Sequence, residues 1–451
     1  MTGPPTSGPA RPYHFPRFER VAVAGGGTLI AAHMPGRPMA TALLVVDAGA
    51  VTEPPGREGV ALLTARMLAE GTTRRDAFAF AVAAERLGAS WSADADYDSM
   101  RVGFDVPADE LPAAVDLLGE AVREPAFGAE AYARVGAERV DELAVEWSQP
   151  GPRAGAAFAA ALWAPESRYA RRDGGEPQTV AAVSRSDVVD FHAARVRPER
   201  STLVVAGDLS GLDPSALAER MFAGWTAAAP AGAVVPDPAS ARDGGRRVVV
   251  VDRPGSVQSM LVLGHPAPPR TTPDYVAMST MALAFAGMFG SRINYRLREE
   301  KGYTYGMFGG FELRRHGGIF ALRAAVQREV TAAALGEAIA ELQRTAAGGI
   351  TAAELEIARN YRVGVFPVSF AQPHAVAGAL GDLVIHQLPD DYFDRVRSDV
   401  AAVGLDAVNE AAATRLLPDR LVSVVVGDAD GLDGPLDSFG AVERSAADPS
   451  P

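Results

Sequence analysis

Two strand-like runs, one near the middle of the chain and one near its end, are alike. Residues 201–212 read STLVVAGDLSGL and residues 421–432 read LVSVVVGDADGL, so both contain Val-x-Gly-Asp. This pattern is typical of a β-branched strand that leads into a turn. Residues 40–50 and 258–268 form a second pair of strand-like runs, one early in each half. Recurrence at matching places predicts two similar halves.

The rest of the chain predicts how these halves are built. Its 451 residues exceed what one hydrophobic core usually organises. Helical patterns cover residues 57–69, 75–87, 108–123, 129–146, 273–286, 330–346 and 352–362, and residues 91–106 resemble a hairpin. Because strands and helices do not alternate strictly, we expect α+β: two domains, each a largely antiparallel sheet covered by helices on one face. The predicted boundaries are a disordered N-terminus (1–15), a first domain (16–226), a linker (227–245), a second domain (246–440) and a disordered tail (441–451).

Composition excludes several classes of function. The chain has 43 basic and 56 acidic residues, a net charge of -13 and no cysteine. Nucleic acids and anionic membranes attract basic faces, so neither is an expected partner. No apolar run of bilayer-spanning length and no signal peptide is predicted. With no cysteine to form disulfides, the cytoplasm is the expected location.

Searches for common catalytic motifs fail. The sequence has no phosphate loop, no dinucleotide fingerprint and no G-x-S-x-G nucleophile elbow. Gly25–Gly27 is better explained as a turn between two short strands. No two of the seven histidines lie three to five residues apart, so they form no helical metal pair.

Two segments stand out. Residues 59–75 read GVALLTARMLAEGTTRR, and residues 285–311 read FAGMFGSRINYRLREEKGYTYGMFGGF. Together with the duplicated halves they resemble the M16 peptidase family (insulinase, mitochondrial processing peptidase-like), over about residues 15–440. The resemblance implies the duplicated metallohydrolase-type fold of that family.

In the family, the first segment is a helix carrying H-x-x-E-H, whose two histidines bind zinc and whose glutamate activates water. Here Leu62 stands at the first histidine, Ala65 at the glutamate and Arg66 at the second histidine. A downstream glutamate completes the family's site. Glu142 is the best match, with Glu138 and Glu146 as alternatives. These side chains cannot hold zinc, so the resemblance implies a degenerate site and no metal in this chain.

The second segment keeps its pattern. The resemblance assigns Arg298 and Tyr305 to hydrogen bonds with a substrate carbonyl and its developing oxyanion. Gly302 is expected to end the helix that carries Arg298, and a strand is predicted over residues 303–309. Alternation would place Tyr303 on the same face as Tyr305, as a supporting or alternative residue.

Just upstream, Gly287 and Gly290 resemble the glycine-rich, substrate-recognising loop of the non-catalytic processing-peptidase subunit.

The implied function is the metal-free subunit of a two-chain M16B peptidase. The partner would carry H-x-x-E-H and the zinc, while this chain would supply Arg298 and Tyr305 to an extended peptide substrate. The alternative is a proteolytically inactive structural or peptide-binding relative. An independent enzyme with another site has no motif in its favour.

Overall fold

The structure is a computed structural model that describes residues 11–23, 25–226, 239–432 and 434–445. Within these residues, two six-stranded sheets form, one from each half of the chain. The predicted α+β class is confirmed.

The first sheet has the spatial order β1-β2-β6-β3-β5-β4. The β2–β6 pair is parallel and the other neighbours are antiparallel. The turn predicted at Gly25–Gly27 joins β1 to β2, and the predicted hairpin is β4–β5. The strands are β1 (Phe18–Ala22), β2 (Thr28–His33), β3 (Met39–Val46), β4 (Ser90–Ala95), β5 (Met100–Pro107) and β6 (Ser201–Gly207).

The second sheet has the order β12-β7-β11-β8-β10-β9. Its strands are β7 (Arg247–Asp252), β8 (Gln258–Ala267), β9 (Phe308–Leu313), β10 (Gly318–Gln327), β11 (Val422–Gly427) and β12 (Ala441–Ser445). Five positions match between the sheets, and the Val-x-Gly-Asp strands β6 and β11 occupy equivalent places. Only the outer strand differs: β1 pairs antiparallel with its neighbour, whereas β12 pairs parallel with β7. The predicted duplication is confirmed.

The helices of the first half include the four predicted ones. They are α1 (Val60–Met67), α2 (Ala77–Arg86), α3 (Leu111–Arg123), α4 (Ala129–Ser148), α5 (Pro150–Leu162), α6 (Pro177–Ala182), α7 (Arg185–Arg195) and α8 (Pro214–Phe222).

In the second half, the predicted helix over 273–286 is an α-helix that passes into a π-helical turn at Leu283–Gly287. A second π-helical turn spans Tyr295–Glu300. The helices are α9 (Tyr275–Ala282), α10 (Arg292–Asn294), α11 (Thr331–Gly348), α12 (Ala352–Ser369), α13 (Pro373–Ile385), α14 (Tyr392–Ala402) and α15 (Leu405–Arg415).

Helices cover both faces of each sheet, so the expectation of a single covered face is wrong. In β6, Leu203 and Val205 pack against helices of the first half. The alternate residues Val204 and Ala206 pack against α13, which comes from the second half. Because both faces are buried, the strand is a continuous apolar run rather than an alternating one.

The second sheet repeats this arrangement in reverse. In β7, Val248 and Val250 face the helices of the second half. Val249 and Val251 face the other way and belong to a core that includes Phe158 of α5, from the first half. The two halves therefore exchange one helix each.

Ion pairs join the halves beside the exchanged helices. The Arg101 Nη2 atom lies 2.7 Å from Asp382 Oδ1 on α13. The Arg315 Nη1 atom lies 2.7 Å from Asp47 Oδ1, and its backbone N–H donates to Asp98 at 2.8 Å. The hairpin turn that carries Arg315 is thus fixed to the first half.

The predicted disordered ends extend too far inward. Phe15 is 4% exposed and stacks on Phe393 with ring centroids 4.3 Å apart. At the other end, residues 441–445 form β12 because they can pair with β7. In the predicted linker, Ala241 forms a β-bridge with Trp163. Residues 1–10, 227–238 and 446–451 of these predicted segments lie outside the described residues.

One segment corrects the expectation that no run has bilayer-spanning length. Tyr275–Glu300 is long and apolar enough by length and composition, and the consecutive helices α12 and α13 together pass the same test although they meet at a 114° bend. Met278, Phe285 and Leu297 are fully buried in the core of the second half. These residues of the first segment therefore contribute to the core of the second half.

Buried His265 makes stability depend on pH. Its Nε2 lies 3.2 Å from the Leu417 N–H, which can only donate, so Nδ1 carries the proton and donates to Pro266 O at 2.9 Å. Burial lowers the pKa of His265 to about 4. The unfolded chain takes up a proton at His265 near pH 6.5 and the folded chain does not. The free energy of unfolding therefore falls as pH drops from about 6.5 toward 4, by about 1.4 kcal/mol per pH unit.

Urea unfolding at pH 7 and pH 5 is expected to show a smaller loss of unfolding free energy for His265→Gln than for the natural chain. Equal losses would contradict this assignment.

Candidate functional site

The four positions matched to the zinc site come together in the structure. Leu62, Ala65 and Arg66 lie on α1, and Glu142 lies on α4, which packs against it. The Arg66 Nη1 atom donates to both carboxylate oxygens of Glu142, at 2.9 and 2.8 Å. Burial works against the charged carboxylate, but hydrogen bonds from Arg139 and Arg66 hold the pKa of Glu142 below its ordinary value. A guanidinium therefore occupies the place of a metal on this carboxylate.

The three candidate glutamates on α4 differ in their contacts, although Glu142 and Glu146 share Arg139 as a partner. Glu138 pairs with Arg134 at 2.9 Å, and Glu146 pairs with Arg139 at 2.9 Å. Only Glu142 contacts Arg66. No group of three or more His, Asp or Glu side chains in the described ranges is placed to hold a metal ion. Leucine and arginine are not zinc donors, so this set does not fit zinc.

The helix that carries these positions is fixed at its N-terminus. Gly59 precedes it with φ of 101°, a conformation that glycine adopts without strain. Glu53 accepts hydrogen bonds from the N–H groups of Gly59 and Ala61, both at 3.0 Å, and pairs with Arg168 at 2.7 Å. Burial raises the pKa of Glu53 to about 7, although Arg168 and these hydrogen bonds act to lower it. The N-terminus of the helix is therefore well fixed, although the side chains that would bind a metal are absent from it.

Arg298 lies where the second segment predicts a helix end. It is in the π-helical turn Tyr295–Glu300, and Gly302 follows with φ of 67°, as a helix-ending glycine should. The guanidinium carbon lies 4.1 Å from the ring centroid of Phe289. Its Nη1 lies 3.3 Å from Glu299 Oε1 but makes no hydrogen bond in the described structure. Arg298 is thus held beside Phe289 and Glu299, and its buried Nη1 makes no hydrogen bond to the described residues.

Tyr305 and Tyr303 do not share a face, so that prediction is wrong. The strand β9 begins at Phe308 rather than Tyr303, because earlier pairing with β10 is limited to a single bridge between Thr304 and Val326, after which the chain bends at Tyr305. The Thr304 hydroxyl donates to the Ala325 carbonyl at 2.8 Å and accepts from the Gly306 N–H at 3.1 Å. Tyr303 is half-buried against the core of the second half. Tyr305 is 94% exposed, and its hydroxyl makes no hydrogen bond to the described residues.

Gly287 and Gly290 border a short exposed loop. Gly287 ends the first π-helical turn, and a side chain at Gly290 would meet no atom within 4 Å. Between them, Phe289 is 65% exposed and covers Arg298. Phe289 was not among the predicted site residues; its signal in the sequence is a large aromatic residue between two glycines.

Comparisons with known proteins agree with this geometry. A model described as "Insulinase (Peptidase family M16)" matches residues 28–163, and one described as "Peptidase M16 inactive domain" matches residues 182–361. The chain belongs to the M16 peptidase family. The family resemblance predicted from the sequence is confirmed.

Individual M16 relatives match over different lengths. An uncharacterised zinc protease of Mycobacterium leprae is 25% identical over 90% of this chain and 91% of its own length. A probable mitochondrial-processing peptidase subunit alpha-2 of Arabidopsis thaliana is 34% identical over 22% of this chain and 20% of its own. The crystal structure of a peptidase M16 inactive domain from Pseudomonas fluorescens superposes with a TM-score of 0.84 at 26% identity, covering 91% of this chain and 98% of that one. This chain is therefore an M16 homologue over nearly its whole length, and its zinc-ligand positions carry no metal donors except Glu142.

Proposed function

We propose that this chain is the metal-free subunit of a two-chain M16 peptidase and supplies Arg298 and Tyr305 to the active site of a partner that carries H-x-x-E-H and zinc. The observation that carries the proposal is an asymmetry between the halves. In the first half, Arg66 neutralises the one remaining ligand, Glu142. In the second half, Tyr305 is exposed and makes no hydrogen bond to the described residues, and Arg298 Nη1 makes none either, although it lies 3.3 Å from Glu299 Oε1.

The chemistry of the second half suits a contribution in trans. A guanidinium and a phenol both donate hydrogen bonds, and donors aimed at a developing oxyanion are among the largest contributions to acyl-transfer catalysis. Phe289 restricts the Arg298 side chain through a cation–π contact, so less conformational entropy is lost when a substrate binds. We infer that zinc, its ligands and the general base all come from the partner.

The experiment that tests the proposal uses the chain together with an H-x-x-E-H relative encoded in the same genome. Hydrolysis of a mixed peptide library is measured with this chain alone, with the relative alone, and with both plus zinc. Activity that requires the mixture supports the proposal. A stable complex without added activity would favour the alternative, a structural or peptide-binding relative.

The Arg66–Glu142 pair leads to a prediction about metal content. The natural chain, freed of adventitious metal and dialysed against zinc, is expected to hold far less than one zinc per chain. The variant Leu62→His/Arg66→His places two imidazoles four residues apart beside Glu142, which loses Arg66 but keeps Arg139 as a partner. We expect it to hold about one zinc per chain, because two histidines and a glutamate form a known zinc-ligand set. Metal analysis by mass spectrometry measures both. One zinc on the natural chain would overturn the degenerate-site assignment, and Leu62→Ala/Arg66→Ala is the control.

A further inference from the structure

A cavity of about 440 Å³ lies beside the degenerate site, between the two halves of the chain. Leu62 and Arg66 of α1 form one wall, and residues 94–96, at and just after the end of the edge strand β4, border it. Arg314, in the turn between β9 and β10, closes it from the second half. The volume is within the range of sites that hold small ligands.

Two arginines that line this cavity have buried nitrogens without an acceptor in the part of the chain that the structure describes. Arg314 lies over the rings of Tyr97 and Tyr169, with its guanidinium carbon 3.8 and 4.7 Å from their centroids, and its Nη1 has no hydrogen-bond partner. Stacking uses the faces of the guanidinium and leaves its edge N–H groups available. Arg172 donates through Nη1 to Glu146 at 3.0 Å and lies over Trp147, yet its Nη2 has no acceptor.

The carboxylates around the cavity already have donors. Glu146 is held by Arg139 and Arg172, and Glu312 pairs with Arg323 at 2.6 Å. Asp96 accepts from the N–H groups of residues 98 and 99, both at 2.7 Å. Asp94 accepts from the Ala95 N–H at 2.9 Å, and Asp173 from the Gly174 N–H at 3.0 Å. Two residues that line the cavity therefore have buried donors without an acceptor among the described residues, whereas each lining carboxylate already accepts a hydrogen bond or pairs with an arginine.

We propose that this cavity is an anion-binding site for the carboxylate of a peptide, with Arg314 and Arg172 as its donors. A buried donor without an acceptor is costly, and a carboxylate satisfies it with a charge-assisted hydrogen bond. The apolar walls, which include Phe158, Trp163 and Ile319, suit the carbon atoms of a peptide end. The carboxylate can be the C-terminus of the bound peptide or one of its acidic side chains. The inference concerns this chain alone and does not depend on a partner subunit.

Calorimetric titration of the full-length chain tests the proposal with four forms of acetyl-Ala-Val-Glu-Ala: free acid or C-terminal amide, each with Glu or Gln. We expect the carboxylate-bearing forms to bind and the fully neutral form to bind at least about 10-fold more weakly. Comparison of the two single-carboxylate forms shows whether the terminus or the side chain is the ligand. Equal affinity of all four forms, or binding of none, would show that the cavity is not a carboxylate-binding site.

Variants locate the donors. Arg314→Gln and Arg172→Gln are each expected to weaken the carboxylate-bearing peptides by about 10- to 100-fold and to leave the neutral peptide unchanged. Arg314→Lys, which keeps the charge, should retain part of the affinity and guards against a folding defect in Arg314→Gln. Arg323→Gln is the matched control, because Arg323 lines the same cavity but is paired with Glu312. If Arg323→Gln weakens binding as much as Arg314→Gln, the assignment of donors is wrong.

Discussion

Replacing Arg298 by alanine or Tyr305 by phenylalanine in the reconstituted two-chain enzyme is expected to lower turnover by about 10- to 1,000-fold. Each change removes one donor to the substrate carbonyl or its oxyanion, and such a donor acts more strongly in the transition state than in the ground state. Because Tyr305 is 94% exposed and the free Arg298 donor has no hydrogen-bond partner within the described chain, neither change breaks an internal hydrogen bond that would unfold this subunit. Steady-state kinetics on a cleaved peptide measures kcat and KM separately.

Matched variants distinguish this role from a general loss of structure. Tyr361 is 52% exposed on α12, so Tyr361→Phe removes a similar exposed hydroxyl from outside the segment that carries Arg298 and Tyr305. Arg344→Gln removes an exposed cation on α11. Both controls should leave turnover within about 2-fold of the natural enzyme, as expected for surface changes. Unchanged kinetics in both Arg298→Ala and Tyr305→Phe would show that neither side chain contributes to catalysis.

Separating the chain into residues 11–226 and 239–445 is expected to abolish folding of each piece, although each contains a complete sheet. Without α13, the face of the first sheet that carries Val204 and Ala206 is exposed to water, and without α5 the same happens to Val249 and Val251. Burying one large aliphatic side chain stabilises by about 1.5–3 kcal/mol. The loss of several such side chains exceeds the roughly 5–15 kcal/mol by which most domains are stable. Expression of each piece alone should yield aggregates, whereas co-expression should yield a soluble pair.

A single substitution in the intact chain tests the packing of α5 against the second sheet. Phe158 of α5 is 2% exposed in the core with the second sheet, so Phe158→Ala should cost about 3–5 kcal/mol in urea unfolding. Phe78 is 78% exposed, and Phe78→Ala is the matched control with an expected change within about 0.5 kcal/mol. Two separately soluble, cooperatively unfolding pieces would show that the helix exchange is dispensable.

Local patterns predicted most elements because their causes are local. The Val-x-Gly-Asp runs became β6 and β11, since β-branched residues favour strands and the glycine permits the turn. Gly302 ended the helix that carries Arg298 for an equally local reason. The strand predicted from Tyr303 does not form because pairing with β10 is interrupted: Thr304 bridges to Val326, the chain bends at Tyr305, and regular pairing resumes only at Phe308.

The sequence by itself determined the duplication, the α+β class and the family, because each depends on residue types that recur along the chain. The tertiary structure alone decided the exchange of α5 and α13, because a run that is apolar throughout does not reveal which helix covers each face. It also decided that Glu142, rather than Glu138 or Glu146, meets Arg66. The cavity at Arg314 depends on the same kind of contact, since its walls come from residues more than two hundred positions apart. Such contacts depend on how the two halves pack together, and the spacing of residues along the chain does not predict that packing.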